Sequence, residues 1–286
     1  MEEDGQLDEV AATGKRRSST ELMKRIVSGV VFAAIAIGLA WAGPKPFAVL
    51  VLVVVLFMSW EWGRVVRSSH FDLTLVVHAA AMVVAVVLSV FGLAALGLAV
   101  VMIAAIIVLP LEFGRRPLYS AAGVLYTGLP AVAILWLRAS EPMGFLAVLL
   151  IFLTVWATDT AAYLAGRLIG GPKLMPSISP NKTWSGLAGG VLAAAVTAGL
   201  TGYFSGNPVA ALAVLGLAMG LLAQGGDLVE SAVKRTFGAK DASNLIPGHG
   251  GFMDRVDGIV TVSVAAALAA LFVNARAPAE ALISGL

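Results

Sequence analysis

The stretch LTLVVHAAAMVVAVVLSVFGLAALGLAVVMIAAIIVLPL, residues 73–111, runs for 39 residues without a charged side chain. A helix crosses the ~30 Å hydrocarbon core of a bilayer in about 20 residues, so this stretch holds two passes. Phe91 and Gly92 mark the turn between them. Working outward, apolar runs of spanning length centre on 26–42, 47–63, 73–91, 92–111, 118–137, 144–166, 185–203, 208–226 and 256–274. The chain is 59% hydrophobic and only 13% charged, whereas soluble domains are about a quarter charged. A fold in water could not cover that much apolar surface. The expectation is an all-α, polytopic integral membrane protein of about nine transmembrane helices.

The positions of Lys and Arg orient those helices. With a cytoplasmic N-terminus, sixteen of the nineteen fall on the cytoplasmic side: Lys15, Arg16, Arg17, Lys24 and Arg25 in the tail, and the rest in loops near 64–72, 112–117, 167–184 and 227–255. Only Lys45, Arg138 and Arg276 fall on the other side. That asymmetry follows the positive-inside rule and places the C-terminus outside. The basic start resembles a signal peptide, but the following run is long enough to span and has no convincing small-residue cleavage site. The chain therefore divides into a flexible cytoplasmic tail (1–25), N-terminal helices (26–140), a catalytic membrane region (141–276) with cytoplasmic loops 167–184 and 227–255, and a C-terminal tail (277–286). Stretches such as LAGGVLAAAVTAG suit close helix packing and are compatible with a homodimer.

With no cysteine there is no disulfide and no thiolate chemistry, and a net charge of +2 does not suggest nucleic acid. Chemistry concentrates in the two long cytoplasmic connections and beside them. Asp159 lies within an apolar span, Asp227 and Glu230 follow the eighth, and Asp254 and Asp257 open the ninth. Carboxylates at membrane depth are costly unless paired or bound to a cation. Helix capping explains Glu230 and Asp257 equally well; Asp227 and Asp254 flank one loop and can meet. Oxygen ligands alone suit a hard divalent ion. Lys182, Lys234, Arg235, Lys240 and Arg255 supply cations for phosphate, and Gly250-Gly251 would bring backbone amides near an anion. Metal-binding acids beside a basic cluster are the ingredients of phosphoryl or nucleotidyl transfer. A loop that only enforces topology or holds anionic lipid explains the basic residues and leaves the interleaved Asp, His and Gly unexplained.

Residues 231–257, SAVKRTFGAKDASNLIPGHGGFMDRVD, closely resemble the signature of the phosphatidate cytidylyltransferases, also called CDP-diacylglycerol synthases. Ser231, Lys234, Arg235, Lys240, Asp241, Pro247, His249, Gly250, Gly251, Asp254, Arg255 and Asp257 carry it. Upstream, SPNKTWSGLAGG (179–190) is similar to the family's SPKKTWEG-type segment and DTAAYLAGRLIG (159–170) to its DxxAYxxGRxxG-type segment. Asn181 and Ser185 depart from it, standing where lysine and glutamate are common, so Lys182 is the only cation of that turn. The resemblance implies joining of phosphatidic acid to CTP with release of pyrophosphate, in a bacterial inner membrane with the site facing the cytoplasm. On that basis Asp227, Asp254, Asp159 and Asp257 are the expected ligands of Mg²⁺, with room for a second divalent ion or a monovalent one such as K⁺. Lys234, Arg235, Lys240, Asp241, His249 and Arg255 are the expected catalytic set. Lys182, Ser179, Thr183, Ser231, Gly250 and Gly251 are expected to bind substrate.

His70 and His78 fall outside these motifs and read as structural, and Trp60 and Trp62 read as interfacial anchors. Two other functions share part of the pattern: a CTP-dependent lipid kinase, and a transporter of an anionic substrate. A transporter more often places its charges at mid-membrane between internal repeats, and no repeat is visible here.

Overall fold

A computed structural model of the chain describes residues 27–69, 71–243, 245 and 250–284. The N-terminal tail, His70, Pro247 and His249 lie outside the described residues. Among the described residues the fold is all-α apart from one hairpin, and the chain is a polytopic membrane protein. Eight helices among the described residues are long and apolar enough to span: α2 (Pro44–Arg67), α3 (Leu73–Val90), α4 (Ala94–Leu111), α5 (Pro117–Ala139), α6 (Gly144–Leu168), α7 (Trp184–Ser205), α8 (Val209–Thr236) and α9 (Met253–Asn274). A shorter apolar helix, α1 (Val27–Ala42), precedes them.

Three elements differ from the hydropathy reading. The connection after α6 folds into an antiparallel hairpin, β1 (Lys173–Met175) and β2 (Ser179–Thr183), with Lys173 opposite Thr183 and Met175 opposite Ser179. Thr183 then caps α7, its side chain accepting from the Gly186 amide at 3.1 Å. The eighth helix does not stop at 226 but continues to Thr236, so Asp227, Glu230, Ser231 and Lys234 lie on a helix rather than in a loop. Their spacing of three and four puts them on one face. Residues 277–286 are not simply a tail: a short helix, α10 (Pro278–Ser284), buries Leu282 and Ile283 against α9, α6 and α5.

Helices α6, α7 and α8 form the tightest layer, with α9 packed on α8 and the remaining helices beside it. The small-residue stretch in α7 is used within this layer. Ala194 of α7 is fully buried, and its carbonyl lies where a Cβ on Gly216 of α8 would come within 2.5 Å. In lipid, such contacts replace the hydrophobic effect as the source of helix association. Trp62 is not an interfacial anchor. It is 3% exposed, donates its indole N–H to the Tyr119 carbonyl at 2.9 Å, and packs on Tyr126. His78 is fully buried against the Thr127 hydroxyl at 2.7 Å, a structural role.

Two glycines of α8 test the close packing. Alanine gains about 1 kcal/mol of helix propensity over glycine at either position. At Gly225 nothing lies within 4 Å of an added Cβ, whereas at Gly216 backbone stands in its way. Gly225→Ala is expected to leave the thermal midpoint in detergent unchanged or raised. Gly216→Ala is expected to lower it, by the equivalent of about 1–3 kcal/mol of overpacking.

Candidate active site

The site forms where the C-terminal end of α8 meets the N-terminal end of α9. Gly226 makes the approach possible: a Cβ there would lie 2.9 Å from the Asp257 carbonyl and would overlap Thr261. With the backbones this close, carboxylate oxygens of Asp227, Glu230 and Asp257 all fall within 4.8 Å of one another. Asp159, on the open face of α6, adds a fourth charge facing Asp227, with Lys182 and Arg255 as opposing cations.

Two lysines are built into the cluster. Lys182, from β2, reaches across to Asp227 at 2.6 Å and to the Gln224 carbonyl at 3.3 Å. Lys234 pairs with Glu230 one turn earlier at 2.9 Å and directly with Asp254 of α9. Five carboxylates (159, 227, 230, 254, 257) therefore face three cations (182, 234, 255), a formal excess of two negative charges. Like charges this close repel strongly in a partly buried site. The donor set, all oxygen, suits a divalent cation that would cancel the excess.

Asp254 was expected beside Asp227 as a ligand. Its Oδ1 pairs with Lys234 and its Oδ2 accepts from the amides of Ala242 (3.0 Å) and Gly251 (2.8 Å), so it ties down the loop before α9. Glu230, for which a capping role read equally well, is 1% exposed and takes the third place in the cluster. Ser231 donates to Asp227 at 3.2 Å. Arg235 donates to the Ile178 carbonyl at 3.4 Å, joining α8 to the hairpin tip, and Ser179 stands in β2. Lys240, Asp241 and Arg255 are exposed. Gly250 has φ +82°, a conformation that favours glycine. The Gly251 amide is already bound to Asp254.

The sequence reading missed Glu61. This α2 carboxylate is fully buried and accepts from the amides of Phe252 (2.9 Å) and Met253 (2.8 Å) and from the Ser243 hydroxyl (2.5 Å). It caps α9 from another helix, satisfying amides that a helix start leaves without partners. A Cβ on Gly251 would collide with it, which explains the glycine there. Beneath the same loop, Met58, Trp62, Val66, Ala242 and Met253 form a small buried cluster. The available signal was a lone acid inside an apolar span, SWEWG, a pattern that by default points to function.

Beside the cluster lies a cavity of about 760 Å³, walled by apolar residues of α1, α2, α5, α6 and α9. Asp159, Thr160 and Arg255 are its polar residues next to the cluster.

The family model described as the cytidylyltransferase family matches residues 23–273. The chain belongs to that family. It is similar to a phosphatidate cytidylyltransferase of Brucella melitensis, 41% identical over 88% of this chain and 93% of that protein. A phosphatidate cytidylyltransferase of Rickettsia bellii is 30% identical over 86% and 89%. One of Haemophilus influenzae is 38% identical over 51% and 55%.

Replacing Glu61 with Ala leaves two amides and a hydroxyl without their acceptor, at about 1–3 kcal/mol per buried group. Glu61→Ala is expected to lower the thermal midpoint and to speed amide hydrogen exchange selectively over residues 250–256. Glu61→Gln, which keeps one acceptor oxygen, is expected to fall between Ala and wild type. Unchanged exchange in the alanine variant would contradict the capping role.

Proposed function

We propose that the protein transfers the cytidylyl group of CTP to phosphatidic acid, giving CDP-diacylglycerol and pyrophosphate. The observation that carries this reading is the cluster of Asp227, Glu230 and Asp257, threaded with Lys182 and Lys234 beside an apolar cavity, in a chain of the cytidylyltransferase family. The names of the full-length bacterial relatives agree with it.

In this reaction a phosphate oxygen of the lipid forms a bond to the α-phosphorus of CTP. The bond from that phosphorus to the bridging oxygen breaks, and pyrophosphate leaves with the electron pair. The attacking oxygen is already ionised near neutral pH, so no strong general base is needed. What the site must supply is positioning and cancellation of charge. Mg²⁺ bound by Asp227, Glu230 and Asp257, with Asp159 in support, would neutralise phosphate oxygens and polarise the α-phosphorus. Lys182 and Lys234, each already held by a carboxylate, present cations without reorganising when substrate arrives. Arg255, at the boundary of cavity and cluster, is suited to the lipid phosphate. Acyl chains would enter sideways from the bilayer into the apolar cavity, leaving the head group at the cluster. Lys240, Asp241 and His249 complete the expected catalytic set, and Gly250 belongs to the expected substrate-binding set. The distribution of Lys and Arg supports a site facing the cytoplasm, and the bacterial relatives support the inner membrane. A homodimer draws little support from α7, whose small residues are used inside the chain.

The test uses purified protein in liposomes with phosphatidic acid and CTP labelled at the α-phosphorus. Label is expected in lipid, lost on chelation of divalent metal. Asp257→Asn and Lys182→Ala are expected to lower the rate by about 10²–10³, the usual cost of removing one preorganised electrostatic group. Lipid that gains label from γ-labelled CTP in a parallel reaction, and none from the α-labelled nucleotide, would overturn the reading in favour of a lipid kinase.

A further inference from the structure

A second polar cavity, of about 670 Å³, opens where the C-terminal ends of α2 and α8 meet the turn between α4 and α5. It shares no lining residue with the carboxylate cluster. Arg67, Glu112, Arg115, Arg116, Thr236 and Phe237 line it. We propose that this cavity is a binding site for a phosphate ester that carries a hydroxyl group.

Arg67 and Glu112, which face each other at 3.8 Å, each carry one buried polar atom, of opposite sense, that has no hydrogen-bond partner among the described residues. The Arg67 side chain is 4% exposed and grips Asp72 with two hydrogen bonds, at 2.8 and 3.2 Å, yet its Nη1 has none. Burial works against the Asp72 carboxylate. The bonds from Arg67 and the Leu75 amide outweigh it and hold the pKa below its ordinary value, so this grip is an ion pair. The Glu112 side chain is 3% exposed; its Oε1 accepts from Thr74 at 2.5 Å, and its Oε2 has no partner. Buried polar atoms are rarely left unsatisfied, and here a donor and an acceptor lie in one wall.

Exposed Arg115 and Arg116 add two cations at the rim. Arg116 is positioned over the Phe237 ring, 4.5 Å from its centroid, and both residues line the cavity. A phosphate satisfies the arginines, but Glu112 opposes a bare anion. A hydroxyl on the same ligand donates to Glu112 and turns that opposition into a contact. Phe237 caps α8 three residues beyond Lys234, so an occupied cavity steadies the helix end that carries the Lys234–Asp254 pair.

The ligand chemistry is found both in soluble glycerol phosphates and in the head group of phosphatidylglycerol. The experiment uses the full chain in phosphatidylcholine nanodiscs, without divalent metal or CTP, and reads the thermal midpoint, which rises when a ligand binds the folded state. One arm adds sn-glycerol 3-phosphate, compared with methyl phosphate. The other replaces part of the phosphatidylcholine with phosphatidylglycerol, compared with phosphatidylmethanol, which has no head-group hydroxyl. The midpoint is expected to rise in at least one arm, with the hydroxyl-free compound about tenfold weaker, as for one charge-assisted hydrogen bond. Arg115→Ala/Arg116→Ala is expected to abolish the rise and Lys182→Gln to keep it. A rise in the first arm alone assigns a soluble ester, and in the second alone a lipid head group. The proposal is overturned by no rise in either arm, by an equal response to the hydroxyl-free compounds, by a rise that survives the double substitution, or by one that is lost in Lys182→Gln.

Discussion

The contact between Gly226 of α8 and the backbone of α9 at Asp257 sets the distance on which the cluster depends. Without a side chain at 226, the two helices come close enough for three carboxylates to share one small volume. Such proximity is unfavourable unless cations offset it. Lys182 and Lys234 do so in part, each reaching from a different element, and the residual negative charge is what a divalent ion would complete. The same contact fixes the start of α9, and with it the position of Arg255 and the cavity beyond.

The acids divide by what surrounds them. Glu61 accepts from two amides and a hydroxyl, and Asp254 from two amides and a lysine, and so both act as anchors for the loop that leads into α9. Asp227, Glu230 and Asp257 face one another; Asp227 is bonded by Ser231 and Lys182, Glu230 by Lys234 at Oε2, and Asp257 by the Gly258 amide at Oδ1. The division is physical: Asp254 accepts two amide hydrogens on Oδ2 and pairs Oδ1 with an ammonium, so both of its oxygens are bonded within the protein. The anchors still matter, because a site built on helix ends is only as fixed as the caps that hold those ends.

Much of this was legible in the sequence because hydropathy and local spacing are properties of short windows. The spans from α2 to α9 and the motif at 231–257 are of that kind. The extension of α8 to Thr236 was hidden because Asp227, Glu230 and Lys234 lower hydropathy as a loop does, although their spacing of three and four is that of a helix face. Glu61 was hidden for another reason: Phe252, its partner, lies 191 residues away, and no window joins them. The pairing of Arg67 with Asp72 lay within reach of a local reading, whereas Glu112 enters that network only through α4. The sequence reading also grouped Asp254 with Asp227 because both flank one loop, but a shared loop does not say which oxygen is already bonded.

Helix α9 presents two chemically opposed faces, which is what the two substrates of the proposed reaction would need. Phe252, Arg255, Val256, Ile259 and Ser263 recur at helical spacing and line the apolar cavity. Asp254, Asp257 and Gly258 lie on its other side, toward α8 and the cluster. A lipid and a nucleotide triphosphate need an apolar wall and a charged wall that meet at the reacting phosphates. A two-faced helix provides both, and Arg255, placed where the faces join, is the residue for which a lipid phosphate and a triphosphate would be simultaneous neighbours. A helix presenting a single face could be long enough and apolar enough to span, and would still leave one of the two substrates without a surface.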